Sequence, residues 1–399
     1  MKNIDSTNVE MQQAFDMIAN TNSSFFLTGS AGTGKTTFLH YVQEKVKKNF
    51  VVVAPTGVAA INAGGETIHS FFGLPMGVMI PDTCTEPTCG KPNADHFIAI
   101  KMANTIIIDE ISMVRCDMMD SIDLTLRRLM KNNLPFGGKQ MVFVGDLFQL
   151  PPVVINTNGD KNVLQQIYRT NTFYFYKANV MKRLRFAKIE FRKVYRQKDD
   201  KHFIDILERV RVGSPISQDL ADINTRVCLP SSDEGSIVTL VPKNVTADAI
   251  NQNHLAALET KEYVYDGIVE GDFEKNKFPV EQELHLKVGA QVMFIHNDSQ
   301  KRWVNGTLGV VEKLTDDHIH VALNNGEVYD VPKASWDSYK YHYDAESKKL
   351  KKEKIGTYVQ FPLKLAWSFT IHKSQGKTFD KMIFDPEGLF DDGQLYVAL

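Results

Sequence analysis

The stretch "GSAGTGKT", Gly29 to Thr36, combines two kinds of residue that handle phosphate. Gly29, Ser30, Ala31, Gly32, Thr33 and Gly34 form a turn in which backbone N–H groups can point inward. Lys35 then supplies a positive charge for β- and γ-phosphates. Thr36 and Thr37 open the following helix, and the Thr36 hydroxyl is the expected Mg2+ contact. The helix N-terminus adds partial positive charge to the same place. A chance glycine-rich turn would not be framed by an apolar strand before it and an amphipathic helix after it. The chemistry this implies is binding and hydrolysis of a nucleoside triphosphate such as ATP, with Mg2+ as its companion.

"IIIDE", Ile106 to Glu110, is the second chemical stretch. Asp109 at a strand end suits Mg2+. Glu110 beside it suits a base that orients and deprotonates attacking water. An acid pair of this kind favours hydrolysis over transfer to a small acceptor. "VGDLFQLPPV" ends another strand at Asp146 and places Gln149 where it would sense a γ-phosphate. "FRKVYRQ" puts Arg196 just after a strand read as part of a second α/β unit. It is either a surface arginine or a finger that completes the site across a cleft. "HKSQG", His372 to Gly376, sits at a strand-to-helix change further on.

These residues need strands and helices to carry them. "SFFLTG", "FVVVAP", "NTIIIDE" and "QMVFVGD" read as strands buried on both faces. "KTTFLHYVQEKVKK" and "DMMDSIDLTLRRLMK" between them have helical periodicity. Strand alternating with helix predicts a parallel α/β sheet. A second α/β pattern starts near "KIEFRKVYRQ", runs through "SIVTLVPKN" and resumes at "FPLKLAWSFTIHKSQG". The strand-and-turn stretch from Leu284 to Tyr358 interrupts it and predicts a small antiparallel barrel. The expected division is 1–160, then 161–283 with 359–399, with 284–358 inserted.

The 46 Lys and Arg against 48 Asp and Glu leave a net charge of −2. A polybasic, histone-like chain is excluded, so any nucleic-acid contact must gather its charge locally. Cys84, Cys89, Cys116 and Cys228 are scattered, which suits a reducing compartment. The start "MKNIDSTNVE" has no apolar signal core and no segment is long enough to span a bilayer. The expectation is a bacterial or phage-type cytoplasmic protein.

"GSAGTGKT", "APTGVAA" with "GGETIHSFF", "IIIDEISMV", "GDLFQLPPV", "VYRQ" and "SFTIHKSQGKTFD" stand in the order of superfamily 1 DNA helicases. In detail they resemble the petite-integration-frequency family of 5′-to-3′ helicases, relatives of the RecD type, from about Val9 to Leu399. The resemblance implies two RecA-like motor domains, a small wedge insert at about 71–98 and an SH3-like barrel inserted in the second motor domain. It implies ATP-driven 5′-to-3′ travel on single-stranded DNA and opening of forked or structured duplex by a monomer. The family's settings are DNA repair, recombination and telomere maintenance. The alternatives are a motor subunit of a nuclease complex and an ATPase that displaces proteins without unwinding.

The resemblance also assigns residues. Gln12, preferred over Gln13 by spacing, would read the adenine edge. Arg196 would touch the γ-phosphate, and Gly376 would face the nucleotide from the second lobe. Single-stranded DNA would meet Thr56, Thr67 and His69 in the first lobe and Thr370, His372 and Ser374 in the second. Each of these could equally be a helix cap. Phe72, Phe148 and Trp303 are open between base stacking and plain packing. "LPMGVMIPDTCTEPTCGKPNADHF" would hold the wedge, and its Cys84, Cys89 and His96 are open between a zinc site and a metal-free loop. "KKLKKEK" is open between a solvated loop and a DNA-facing patch. The terminal "LYVAL" matches the start of a last motor motif whose arginine would follow Leu399. A chain ending there would hydrolyse ATP poorly.

Overall fold

The computed structural model describes residues 5, 7–75, 77–79, 89–154, 160–195, 200–227, 237–275, 278–344, 349–375, 379 and 381–399. They fall into two units, Met1–Glu208 with Tyr339–Glu353, and Arg209–Ser338 with Lys354–Leu399.

The first unit runs α1 (Val9–Asn20), β1 (Ser24–Gly29), α2 (Lys35–Lys45), β2 (Phe50–Ala54), α3 (Gly57–Asn62), β3 (Glu66–Thr67) and α4 (Ile68–Phe72). It continues with α5 (Ala94–Met102), β4 (Thr105–Ile108), α6 (Cys116–Met130), β5 (Gln140–Val144), α7 (Asp160–Tyr168) and β6 (Phe186–Phe191). Its six strands form one sheet in the order β3-β2-β4-β5-β1-β6. Every pairing in it is parallel. The all-apolar strand runs follow from burial on both faces. Phe25 and Leu27 of β1 join the core with α1 and α2, whereas Phe26 joins the core with α4, α5 and α6. Ile107 and its neighbours Ile106 and Ile108 divide in the same way.

This parallel α/β sheet is that of a RecA-like motor. One strand is placed differently from the sequence reading. β6 lies along β1, with Phe186 opposite Ser24 and Phe191 opposite Gly29. The strand that leads to Arg196 therefore closes the first sheet and does not open a second one. Apolar periodicity identifies a strand but not its sheet, because pairing partners are chosen by tertiary packing.

The chain leaves the first unit within α8 (Lys201–Arg211). There follow α9 (Ser217–Asn224), β7 (Val238–Val241), α10 (Asn244–Ala257), β8 (Glu262–Asp266), β9 (Ile268–Gly271), β10 (Glu283–Lys287), β11 (Gln291–Phe294), β12 (Leu308–Leu314), β13 (Ile319–Leu323) and β14 (Val328–Asp330). Last come β15 (Ala334–Asp344), β16 (Lys349–Gln360), β17 (Leu363–Leu365), β18 (Ser368–Thr370), α11 (Ile371–Ser374), β19 (Met382–Phe384) and α12 (Gln394–Ala398). β18, β7 and β19 form a parallel sheet. Between β7 and β18 the chain turns antiparallel: β14-β13-β12-β11-β17 make a five-stranded sheet, with β10-β8 and β15-β16-β9 beside it in the order of pairing.

Candidate nucleotide site and polymer-facing residues

Parallel strands put all their C-terminal ends on one edge, and the chemistry gathers there. β1 ends in the Gly29–Gly34 turn. Gly34 has φ 86°, a left-handed value that suits glycine. A Cβ on Gly29 would stand 2.6 Å from the Phe191 carbonyl oxygen, so this strand end admits no side chain. Lys35 folds back over the turn, its Nζ donating to the carbonyls of Gly29 (2.6 Å) and Ser30 (3.0 Å). Thr33 donates its hydroxyl to Ser30 at 2.9 Å, bracing the turn from inside. Thr36 lies at the exposed first turn of α2.

Asp109 follows β4 and is buried, and Glu110 is half-buried beside it. Glu110 has φ 49°, an uncommon left-handed conformation for a residue with a side chain. Gly145 packs against the turn that follows: a Cβ there would stand 3.0 Å from the Ile111 nitrogen. Burial raises the Asp109 carboxyl above its usual range, against the pull of the Lys35 charge and a backbone hydrogen bond. Burial, then the charge of Asp109, raises Glu110 as well, and Lys35 again opposes the shift. Two dry carboxylates side by side ionise fully only when positive charge joins them. A Mg2+ ion fits that demand: hard carboxylate oxygens stand next to a phosphate cradle. Asp146 is fully buried after β5 and accepts from the Phe148 amide at 3.2 Å. Its carbonyl accepts from the amide of Gln149 at 3.1 Å, which sets Gln149 at the same edge.

Gln12 lies exposed on α1, one residue after Met11, whose methyl group touches the Gly34 position. Arg196 and Gly376 lie outside the described residues, as do Cys84 and Cys228. Tyr195, immediately before Arg196, is a contact that sequence reasoning missed. Its amide donates to the Gly32 carbonyl at 2.9 Å and its ring faces Gly34. Its hydroxyl donates to Asp5 (3.0 Å) and accepts from Asn8 (3.1 Å), the N-cap of α1. The motif "VYRQ" contains this tyrosine, but its local sequence does not point to partners so far away along the chain.

The polymer-facing candidates divide. Thr56, Thr67 and Thr370 are the N-caps of α3, α4 and α11, accepting from the amides of Ala59, Ser70 and Lys373. Ser374 is buried and donates to the Ile371 carbonyl at 2.8 Å. His372 is half-buried with its ring parallel to Phe390. Burial lowers its pKa below the usual histidine value, partly opposed by Asp391. Burial lowers that of His69 too, helped by the Arg115 charge and opposed by Asp117. Phe72 is a correction. It has no exposed surface and packs edge-on against Phe71, so no base reaches it. Trp303 is likewise buried, stacked on Phe294 at 4.4 Å and covered by the Arg302 guanidinium. Phe148 is 44% exposed and stays available. His96 is buried with Nε2 3.0 Å from a Glu66 carboxylate oxygen. No helix among the described residues is long and apolar enough to cross a membrane.

The fold and this edge define the core of a P-loop motor ATPase. The family model described as PIF1-like helicase matches residues 6–220, and that of the DNA helicase Pif1 2B domain matches residues 275–314. The chain belongs to the PIF1-like helicase family. It is 33% identical to the ATP-dependent DNA helicase Pif1 of Bdellovibrio bacteriovorus, over 98% of this chain and 84% of that one. It is 30% identical to the corresponding protein of Candida albicans, over 94% of this chain but 51% of that one, so it spans about half of that relative. Bacteroides sp Pif1 is 39% identical in both of two solved states. In complex with ADP-AlF4 it has a TM-score of 0.87, covering 98% of this chain and 88% of that one. Bound to ssDNA it has a TM-score of 0.68, covering 100% and 90%.

Proposed function

We propose that this chain is an ATP-dependent DNA helicase that travels 5′-to-3′ on single-stranded DNA and opens forked or structured duplex. The observation that carries it is the convergence of Lys35, Asp109, Glu110 and Asp146 on the C-terminal edge of one parallel sheet, within electrostatic reach of one another. Family membership supports DNA as the polymer, and the polarity rests on the motif resemblance. Thr36 and Asp109 would hold Mg2+, and the ion would supply charge neutralisation at the phosphates there. Lys35 leaves its two carbonyl partners for the β- and γ-phosphates. Glu110, whose carboxylate burial makes a stronger base, takes a proton from the attacking water. Gln149 reads the γ-phosphate. Gln12 reads the adenine edge, and Arg196 and Gly376 complete the nucleotide contacts.

DNA lies along loop and helix starts at Thr56, Thr67, His69, Thr370, His372 and Ser374, held by backbone amides and short side chains at its phosphates. For the threonines this adds to their capping role. In this reading residues 71–98 hold the wedge, 284–358 hold the inserted SH3-like barrel, and the protein works as a monomer. The decisive experiment measures ATP hydrolysis with and without single-stranded DNA, and strand displacement on a fork with a 5′ tail. Hydrolysis indifferent to DNA overturns the reading. DNA-stimulated hydrolysis without strand displacement would instead favour an ATPase that clears bound proteins.

A further inference from the structure

Between Arg169 and Lys188 the chain carries Arg169, Lys177, Lys182, Arg183, Arg185 and Lys188 and no Asp or Glu. This is a concentrated positive stretch in a chain of net charge −2. The segment lies along α6 as a strap. At its upper end the Cys116 amide donates to the Phe173 carbonyl at 2.8 Å, and Tyr174 bridges Arg115. Midway, Asp120 accepts from the amides of Asn179 (2.9 Å) and Val180 (2.8 Å). Lower down, Arg183 pairs with Asp123 at 3.1 Å. The strap ends in β6 with Phe186 opposite Ser24.

The strap is two-faced. Phe173, Phe175, Ala178 and Val180 are buried, with Phe175 against Phe26 and Phe143. The acids beneath it are turned inward, onto backbone amides and Arg183. Its outer side carries Tyr176, Lys177, Lys182, Arg185, Phe186 and Lys188, all exposed. Tyr174 and Tyr176 stack with rings 5.4 Å apart and 10° from parallel, and Lys177 sits over Tyr176 at 5.4 Å. Among the described residues, no carboxylate pairs with Lys177, Lys182 or Arg185.

Lys182 donates to Asn179 at 3.0 Å and Lys188 pairs with Glu190 at 3.1 Å, which leaves Lys177 and Arg185 as the cations beside the rings. Rings for bases and cations for phosphates are the combination that holds single-stranded nucleic acid. Its position argues for which strand. The lower end of the strap stands away from the phosphate cradle: β1 runs from Ser24 to Gly29, so Phe186 lies about 17 Å along the strand from it. The tracking-strand candidates Thr56 and Thr67 lie at the cradle's edge of the sheet. The upper end of the strap, where the Tyr174–Tyr176 pair sits beside Arg115, adjoins the anchor of the insert that begins at Leu74, and the Arg115 charge also reaches His69. Arg115 bonds the Gly77 carbonyl and Asp117, and Asp117 accepts from the Met79 amide at 2.8 Å.

We propose that the strap from Tyr174 to Lys188 is a second single-strand site, which takes the strand displaced at the fork. The site rests on the helicase reading for its occupant. It would hinder re-annealing behind the insert by holding the second strand on the flank of the first unit.

Two measurements test it. A photoreactive benzoylphenylalanine at position 176 is irradiated on a fork with a 5′ tail on one strand and a 3′ tail on the other, without ATP. The expected adduct is with the 3′-tailed strand. Adducts only with the 5′-tailed strand, or none while the fork is bound, overturn the proposal. This arm needs no unwinding, so it stands even if the motor reading fails. The second arm uses Tyr176→Ala and the pair Lys177→Glu with Arg185→Glu, all exposed positions. Unwinding of the fork with a 3′ tail should fall about tenfold, the worth of one stacked base. Unwinding of the same duplex without that tail, and hydrolysis stimulated by a short oligonucleotide, should not change. An equal loss on both duplexes, or no loss on either, overturns it.

Discussion

The amide of Tyr195 donates to the carbonyl of Gly32 at 2.9 Å. That bond ties the segment leading to Arg196 to the middle of the phosphate cradle. The Tyr195 hydroxyl extends the tie to Asp5 and Asn8, and Asn8 caps the helix that carries Gln12. One tyrosine thus links three parts of the proposed nucleotide site within the first unit.

Tyr195→Phe keeps the amide bond and the ring and removes the hydroxyl links. We expect KM for ATP to rise several-fold with kcat little changed. Tyr195→Ala should lower kcat as well, because the ring facing Gly34 is lost. Steady-state kinetics decide it, and identical behaviour of the two variants would refute a separate role for the hydroxyl.

Lys35→Ala should cut ATP turnover by a factor on the order of 100 to 1,000, the usual cost of one preorganised charge contact. Affinity for single-stranded DNA should hold, since Lys35 is bonded into the cradle. Parallel hydrolysis and DNA-binding titrations check this. Normal turnover would dismiss the P-loop assignment.

Glu110→Gln keeps the shape and removes the base. ATP should still bind, and hydrolysis should slow about a hundredfold or more. Near-normal single-turnover rates would show that another group activates the water.

Phe72→Ala should destabilise the first unit by about 3–5 kcal/mol, as for other buried aromatics. Phe72→Leu, which conserves most of the volume, should retain DNA affinity. Chemical denaturation and DNA titration of the two variants separate core from contact. A specific loss of DNA affinity in a stable Phe72→Leu protein would restore Phe72 to the DNA path.

His372 is held neutral by burial, so its folded pKa lies below its unfolded one. The unfolded chain therefore binds more protons as pH falls through the usual histidine range. The stability is present above about pH 6.5 and is lost below it. Denaturation midpoints from pH 7.5 to 5.5 should fall, and His372→Gln should flatten that fall. An unchanged slope in the variant would clear His372 of the effect.

The sequence by itself set out the candidate nucleotide chemistry. A phosphate cradle and an acid pair are local devices, written in consecutive residues whose backbone geometry and type suffice. Lys35, Asp109 and Glu110 were legible for that reason, and so were the strands that carry them. Parallel α/β alternation was legible because strands buried on both faces are apolar throughout. Only the tertiary structure decided which sheet β6 joins, since its apolar residues would serve any sheet. It also decided that Phe72 and Trp303 are packed inside, because an aromatic side chain looks the same whether it covers a core or a base. Tyr195 escaped for a related reason: its partners, Asp5, Asn8 and Gly32, lie more than 160 residues away and meet it only when β6 pairs with β1. The strap from Tyr174 to Lys188 is charged in sequence, yet its two faces exist only because the acids of α6 draw one side of it inward.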